Sequence, residues 1–227
     1  MCLVSRRQLR LTALSFIVHF AEKGRKGAKM FYDAVKNDYG LPNDPFKALV
    51  APRPIAWIST VGRDGTPNLA PYSFFNAFAQ APHYVAFGSG PKKDTLRNIE
   101  ANGEFAVNLV AFSQREQMNE TSASVGPDTD EFVMAGVQTA PCRLIKPPRV
   151  ADSPATLECR LYQVVPLPDD MGKVDDFLVI GRVLGIHIDD RYISDGRVDT
   201  ASMQLVARLG YSEYTTVTEA WRMRRPE

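Results

Sequence analysis

The spacing of β-prone runs between residues 52 and 111 constrains this chain more than any other feature. Ile55-Ala56-Trp57-Ile58-Ser59-Thr60 follows Pro52-Arg53-Pro54, a tripeptide that cannot continue a helix. Gly62-Arg63-Asp64-Gly65-Thr66 supplies a turn and Pro67 to Phe75 runs back, so the segment reads as a hairpin. His83 to Gly88, entered through Ala81-Pro82, is a third strand, and Glu104 to Ala111 is a fourth. One short helix fits between those two, over Thr95 to Ala101, with Asp94 as its N-cap and Asn102-Gly103 as its stop. The gaps leave no room for a helix between each pair of strands, which a doubly wound parallel sheet requires. The expected fold is mainly β: an antiparallel barrel with peripheral helices covering its ends.

Ser113 to Ser124 is polar and helix-compatible, Gly126-Pro127 ends it, and an acidic loop follows with Asp128, Asp130 and Glu131. Val137 to Ile145, Ala155 to Val165 and Phe177 to Ile188 read as three later strands. With no internal repeat, linker or low-complexity tract, residues 30–227 are expected to form a single domain. The 27 basic and 26 acidic residues nearly cancel, but unevenly. Residues 1–29 hold seven basic side chains against Glu22 alone, a net +6, which leaves −5 for the rest. This stretch resembles a secretory signal superficially, but small residues at a cleavage site are poorly placed around Phe20-Ala21-Glu22. A basic amphipathic leader and an upstream extension outside the fold are the two readings left, and the second is taken, with Met30 as the biological start.

Composition removes several function classes. No apolar run reaches the roughly 18 residues of a membrane-spanning helix. The balanced charge gives no field for nucleic acid, and the one concentrated basic stretch is the extension. Cys2, Cys142 and Cys159 cannot all pair, and no C-x-x-C or H-E-x-x-H spacing occurs, so neither a disulfide framework nor a common zinc motif is expected. A reducing compartment, the cytoplasm, fits best.

Two segments carry candidate chemistry. Gly88-Ser89-Gly90-Pro91-Lys92-Lys93-Asp94-Thr95 lies between a strand and a helix start. Its glycines let backbone approach a ligand, the helix N-terminus offers unpaired N–H groups, Lys92 and Lys93 add positive charge, and Ser89 and Thr95 add hydroxyls. That set suits a phosphate monoester, although it is neither a Walker loop nor a G-x-G-x-x-G fingerprint. The second is the return strand Asn68-Leu69-Ala70-Pro71-Tyr72-Ser73-Phe74-Phe75-Asn76, whose amides, hydroxyls and aromatics suit a planar heteroaromatic ring. Trp57 and one of the two phenylalanines are expected in the core, because neighbouring side chains on a strand face opposite ways.

Taken together these residues resemble the flavin reductase-like, FMN-binding split-barrel family, in its flavoredoxin-type branch. The blocks are Pro52 to Thr60, Gly65-x-x-Asn68 to Asn76, Lys93-Asp94-Thr95 with Asn98-Ile99, Phe105-Ala106-Val107-Asn108, Glu158-Cys159, Ile180-Gly181-Arg182-Val183 and Arg208-Leu209-Gly210-x-x-x-Tyr214. They run in order from about Tyr32 to Tyr214. The resemblance implies a split β-barrel that binds FMN non-covalently, usually as a homodimer with the cofactor near the subunit interface. By motif, Arg53, Ser59, Thr60 and Asn68 would lie around the phosphate, ribityl chain or ring edge. Ser73, Phe74, Phe75 and Asn76 would border the isoalloxazine, and Ser89, Lys93, Asp94 and Thr95 would supply or shape the phosphate pocket.

The implied activity is an NAD(P)H-dependent flavin oxidoreductase that passes electrons to an acceptor protein or a partner monooxygenase. Hydride transfer to a flavin requires no side chain as nucleophile or base, so no catalytic residue is assigned. Two alternatives stand beside it. One is an FMN electron-transfer module without a nicotinamide site, the other a split-barrel oxidase acting on a phosphorylated vitamin. His187, on a late strand, is a candidate to reach the ligand pocket, against the commoner reading of a structural histidine.

Overall fold

The computed structural model describes residues 30–126 and 128–226. The basic extension expected over residues 1–29 and Pro127 of the expected Gly126-Pro127 stop lie outside the described residues. The chain divides into two compact units, one ending at Asp44 and the other starting at Pro45. In the first, the Asp33 carboxylate organises a turn. It accepts the Val35 and Lys36 N–H groups at 3.0 and 3.3 Å and pairs with Lys36 Nζ at 3.1 Å.

The second unit holds four short helices, α1 (Phe46–Leu49), α2 (Asp94–Asn102), α3 (Arg115–Glu120) and α4 (Glu131–Met134). Its strands are β1 (Arg53–Pro54), β2 (Ala56–Val61), β3 (Pro67–Tyr72), β4 (Phe75–Gln80), β5 (His83–Ser89), β6 (Glu104–Asn108), β7 (Thr139–Ala140) and β8 (Arg149–Val150). After them come β9 (Ala155–Pro168), β10 (Val174–Ile188), β11 (Ile193–Ser194), β12 (Arg197–Val198), β13 (Val206–Arg208) and β14 (Tyr214–Thr216). Seven strands make one antiparallel sheet in the order β3-β2-β6-β9-β10-β5-β4. The first and last strands of that order are joined by Ser73 and Phe74 alone. Such a link spans about 11 Å at most, so the sheet must curl until its two edges meet. β3 and β4 do not pair with each other, and the seam between them stays open.

Strand alternation sorts side chains into two cores. Along β2, Ala56 and Ile58 point into the barrel, where they meet Val85, Phe87, Phe105, Val107, Cys159 and Val179. Leu96 and Ile99 of α2 join this cluster. The opposite face sends Ile55 and Trp57 outward into a second core with Leu69, Met118, Phe132, Val150 and Val206. Trp57 is fully buried there, its indole N–H donating to Thr121 Oγ1 at 2.9 Å. A three-stranded sheet of β1, β13 and β14 lies beside the barrel sheet in the same unit. Among the described residues no helix is long and apolar enough to cross a membrane.

Three expected elements differ. The return strand Pro67 to Phe75 ends at Tyr72 and a new strand starts at Phe75, so the Ser73-Phe74 link replaces strand. The run from Val137 to Ile145 contributes only β7. Pro141 has no ladder donor, and nearby N–H groups are taken by side chains. Arg143 and Leu144 donate to Glu158 at 2.7 and 2.6 Å, and Lys146 donates to Glu104 at 3.0 Å. The acidic loop carries α4, capped by Asp130, which accepts the Phe132 N–H at 2.9 Å.

Gly181 on β10 faces the fully buried Phe105 ring so closely that any Cβ would overlap it. Gly181→Ala should therefore cost about 1–3 kcal/mol, read as a lower urea midpoint at unchanged m-value. An unaltered midpoint would show that the barrel interior yields.

Candidate functional site

The open seam is one wall of a cleft of about 1450 Å³. β3 contributes Asn68, Pro71 and Tyr72; the link contributes Ser73 and Phe74, and β4 contributes Phe75 and Asn76. The loop from Ser89 through Lys93, the start of α2, the 121–125 segment, Glu131 and the tip of the β9–β10 hairpin complete it. Of the twelve residues marked from sequence, ten line this cleft: Arg53, Asn68, Ser73, Phe74, Phe75, Asn76, Ser89, Lys93, Asp94 and Thr95. Ser59 and Thr60 do not.

At one end of the cleft, unpaired backbone N–H groups and a lysine come together. α2 starts at Asp94, and its N-cap is Lys93, whose side chain has no acceptor atom and makes no cap bond. The first intrahelical bond runs from Arg97 N–H to Lys93 O, so the N–H groups of Asp94, Thr95 and Leu96 precede the ladder. The expected capping role of Asp94 is therefore corrected: its carboxylate pairs sideways with Arg97 Nη2 at 2.5 Å. Lys92 is likewise held by Glu100 at 2.5 Å, whereas Lys93 has no acid partner among the described residues. Thr95 Oγ1 accepts from Asn68 Nδ2 at 3.0 Å, and the Tyr72 hydroxyl lies beside both Ser89 and Thr95. Burial raises the pKa of Tyr72, so at neutral pH it is a hydroxyl donor.

The two glycines of this loop do not make room for a ligand. A Cβ on Gly88 would stand 3.1 Å from Phe74 Cβ, and one on Gly90 would strike the Asp176 carboxylate. Both close approaches are to the protein's own seam and hairpin.

Arg53, expected near the phosphate or ring edge, spends its guanidinium on structure. It donates through Nη1 to the carbonyls of Lys47 and Val50 and through Nη2 to that of Leu209 at 2.8 Å. Its Cζ lies 5.5 Å from the Phe74 ring centroid, a cation–π contact that ties the side chain to the seam. Burial, then repulsion from Arg208, lowers its pKa. Thr60 stands behind the cleft as a hub: its Oγ1 accepts from Asn68 Nδ2 and Asn98 Nδ2, both at 3.1 Å, and so orients the Asn68 amide. Ser59 faces the other core, where it donates to Pro148 O at 2.6 Å. Adjacent strand residues cannot share a face, so Ser59 and Thr60 could not both have entered one pocket.

The aromatic wall divides as strand geometry demands. Phe75 packs against the barrel core, while Phe74 is 45% exposed in the cleft, anchored by Gly88 N–H donating to its carbonyl at 2.8 Å. Sequence reasoning missed Glu131, which lines the cleft and accepts the Leu69 N–H at 3.0 Å. Burial raises its pKa, with Asp94 and Asp130 adding to the effect. Its only signal was the Asp130 cap one residue earlier. His187 is not among the residues lining this cleft. It lines a second cavity with Glu158, its Nε2 2.5 Å from Glu158 Oε1.

An antiparallel barrel split along one seam, with an uncapped helix start and an aromatic wall in the split, is a split β-barrel. Residues 49–202 match the model of the flavin reductase like domain, and the chain belongs to that family. An uncharacterized protein of Halalkalibacterium halodurans is 34% identical over 182 residues, covering 78% of this chain and 87% of that one. Nitrilotriacetate monooxygenase component B from Bacillus cereus superposes with a TM-score of 0.79 at 28% identity, over 86% of this chain and 99% of that one. The flavoredoxin of Desulfovibrio vulgaris shares the fold, with a TM-score of 0.69 at 20% identity over 77% of this chain and 91% of its own.

The buried Glu131 gives the site a pH signature. Its folded pKa is raised, so the native state binds its proton more tightly than the unfolded chain does. Its contribution to stability is largest below the unfolded value of about 4.3 and is lost as pH rises through the raised value. Glu131→Gln keeps an oxygen for the Leu69 N–H and removes the titration. The difference in urea stability between variant and wild type should grow in the variant's favour across that window; a difference independent of pH would refute the assignment.

Proposed function

We propose that the cleft binds FMN and that the protein is an NAD(P)H-dependent flavin reductase, handing electrons to an acceptor protein or a partner oxygenase. The observation that carries this reading is the uncapped start of α2 opening into the cleft beside Lys93, which has no acid partner among the described residues, with Phe74 exposed along the same wall. The donor set fits a phosphate monoester: backbone N–H groups of the first helical turn, the Lys93 ammonium, and the Ser89, Thr95 and Tyr72 hydroxyls. Asp94 does not repel the dianion unscreened, because Arg97 offsets its charge. Bound FMN would supply a ring able to accept hydride from a nicotinamide. Phe74 would cover part of one ring face, Asn76 and backbone groups of the seam would meet its polar edge, and Arg53 would hold α1 and Val50 in place behind Phe74.

Room for a donor is available in the same space. The cleft exceeds the roughly 300–1,000 Å³ of an ordinary single-ligand pocket, so a second planar ring can lie beside the first. The seam's outer strand supports a homodimer. β4 is an edge strand, Phe78 on it is 67% exposed, and a second copy would cover that apolar edge next to the cleft. The name of the Bacillus cereus neighbour, a monooxygenase component, supports an oxygenase partner.

Two measurements test the proposal. Rapid mixing of the FMN-loaded protein with NADH or NADPH should bleach the flavin band within seconds. Bleaching by dithionite and by neither nucleotide would leave an electron-transfer module in place of a reductase. Lys93→Gln should weaken FMN by about 1.5–3 kcal/mol, roughly 10- to 150-fold, and leave riboflavin unchanged. Equal weakening of both ligands would move the phosphate elsewhere.

A further inference from the structure

Away from the cleft, Cys142, Glu158 and His187 bring a sulfur, a carboxylate oxygen and an imidazole nitrogen within 4.8 Å of one another. We propose that this cluster binds a borderline-soft divalent cation, zinc foremost, through Cys142 Sγ, a Glu158 carboxylate oxygen and His187 Nε2, with a fourth position open to the adjoining cavity. The proposal is independent of the flavin reading.

Three features support it. First, the ligands are pre-positioned by backbone. Glu158 and His187 sit on the paired strands β9 and β10, in the registers Glu158↔Gly185 and Thr156↔His187. Cys142 arrives on the loop whose next two N–H groups, Arg143 and Leu144, donate to the Glu158 carboxylate at 2.7 and 2.6 Å. Those two bonds act as an outer shell that fixes the carboxylate and draws the cysteine to it. Secondly, the donor types match the ion. A thiolate and a carboxylate together neutralise a divalent charge, and sulfur with imidazole favours zinc over magnesium or calcium. Thirdly, a cavity of about 590 Å³, lined by Glu158 and His187, gives a route in and space for a water ligand.

The metal-free cluster is held together by protons. Burial opposes ionisation of Glu158, yet the Arg143 and Leu144 N–H groups and His187 hold its carboxyl below the usual range. Burial, then the neighbouring Glu158 charge, pushes the Cys142 thiol up to about 12, so the sulfur keeps its proton. On binding, the S–H bond breaks and its proton passes to solvent, the Nε2 proton that His187 directs at Glu158 leaves or moves to Nδ1, and the freed sulfur and Nε2 lone pairs take the cation. Ligand atoms around tetrahedral zinc stand about 3.3–3.6 Å apart. His187 Nε2, 2.5 Å from Glu158 Oε1, would therefore back away by about 1 Å while the sulfur draws in. His187 is 21% exposed and has the freedom to do so. Arg143 and Arg149 line the same cavity, but Asp189 and Asp190 line it too.

The full-length protein, dialysed against chelator, is titrated with zinc chloride by calorimetry and with cobalt(II) by difference spectroscopy. One zinc per chain and a thiolate-to-cobalt charge-transfer band are expected. Cys142→Ser should abolish the band and weaken zinc at least about 100-fold, with melting temperature and FMN binding retained. Should that variant fail to fold, His187→Gln, at a partly exposed position, gives the second reading and should weaken zinc comparably. No uptake at millimolar zinc, a cobalt spectrum lacking the sulfur band, or affinity unchanged in the folded variants would overturn the site.

Discussion

The two-residue link Ser73-Phe74 is the constraint on which the rest of the molecule depends. It joins the outermost strands of a seven-stranded sheet, and so forces closure without supplying the ladder that would seal it. An ordinary edge strand exposes unpaired N–H and C=O groups and invites aggregation. Here the two edges are brought face to face, and the groups left between them line a cleft. Phe74 illustrates the arrangement: its carbonyl is tied to Gly88, its Cβ fills the space that a side chain on Gly88 would need, and its ring faces the cleft. The site is a consequence of how the sheet closes.

Within the loop and first turn from Lys92 to Arg97, charge pairing leaves one cation without an acid partner among the described residues. Lys92 is drawn to Glu100 and Arg97 to Asp94, while Arg53 is spent on three backbone carbonyls. Lys93 is left. Because a lysine cannot accept a hydrogen bond, its position at the N-cap also leaves the first turn of α2 without a side-chain cap. The same residue thus provides both the charge and the uncapped dipole that the proposed anion site would use, where a serine or aspartate at residue 93 would have closed the helix on itself.

Much of this was legible in the sequence because it rests on local chemistry. The β2–β3 hairpin follows from Pro54, the Gly62–Thr66 turn and alternating side chains, and α2 ends at Gly103 in the left-handed conformation its glycine foretold. The cleft residues from Asn68 to Asn76 and from Ser89 to Thr95 were marked by type and order. What could not be read depends on partners distant in sequence. Arg53 looks like a ligand residue until Leu209, far along the chain, claims its donors. Val137 to Ile145 looks like a strand until Glu158 takes its N–H groups. Asp94 is a local case: it looks like a cap, but Lys93 takes the N-cap position and the Asp94 carboxylate pairs with Arg97, one turn on. Ser59 and Thr60 were misplaced by treating a motif as a surface, when a strand delivers consecutive residues to opposite faces.

That alternation also sorts side chains that are neighbours in sequence into different surroundings. On β9, Glu158 and Cys159 are neighbours in sequence, yet Cys159 enters the barrel core while Glu158 turns to the outer cavity and His187. Burial raises the Cys159 thiol's pKa and keeps it unreactive inside the barrel, whereas Glu158 is held ionised among backbone donors. The cleft and the cavity beside Glu158 and His187 share no lining residue, so what would bind in one need not touch the other. A fold that sorts side chains by parity can carry a second polar site at little cost to the first, provided its buried carboxylate is satisfied by the backbone, as Arg143 and Leu144 satisfy Glu158.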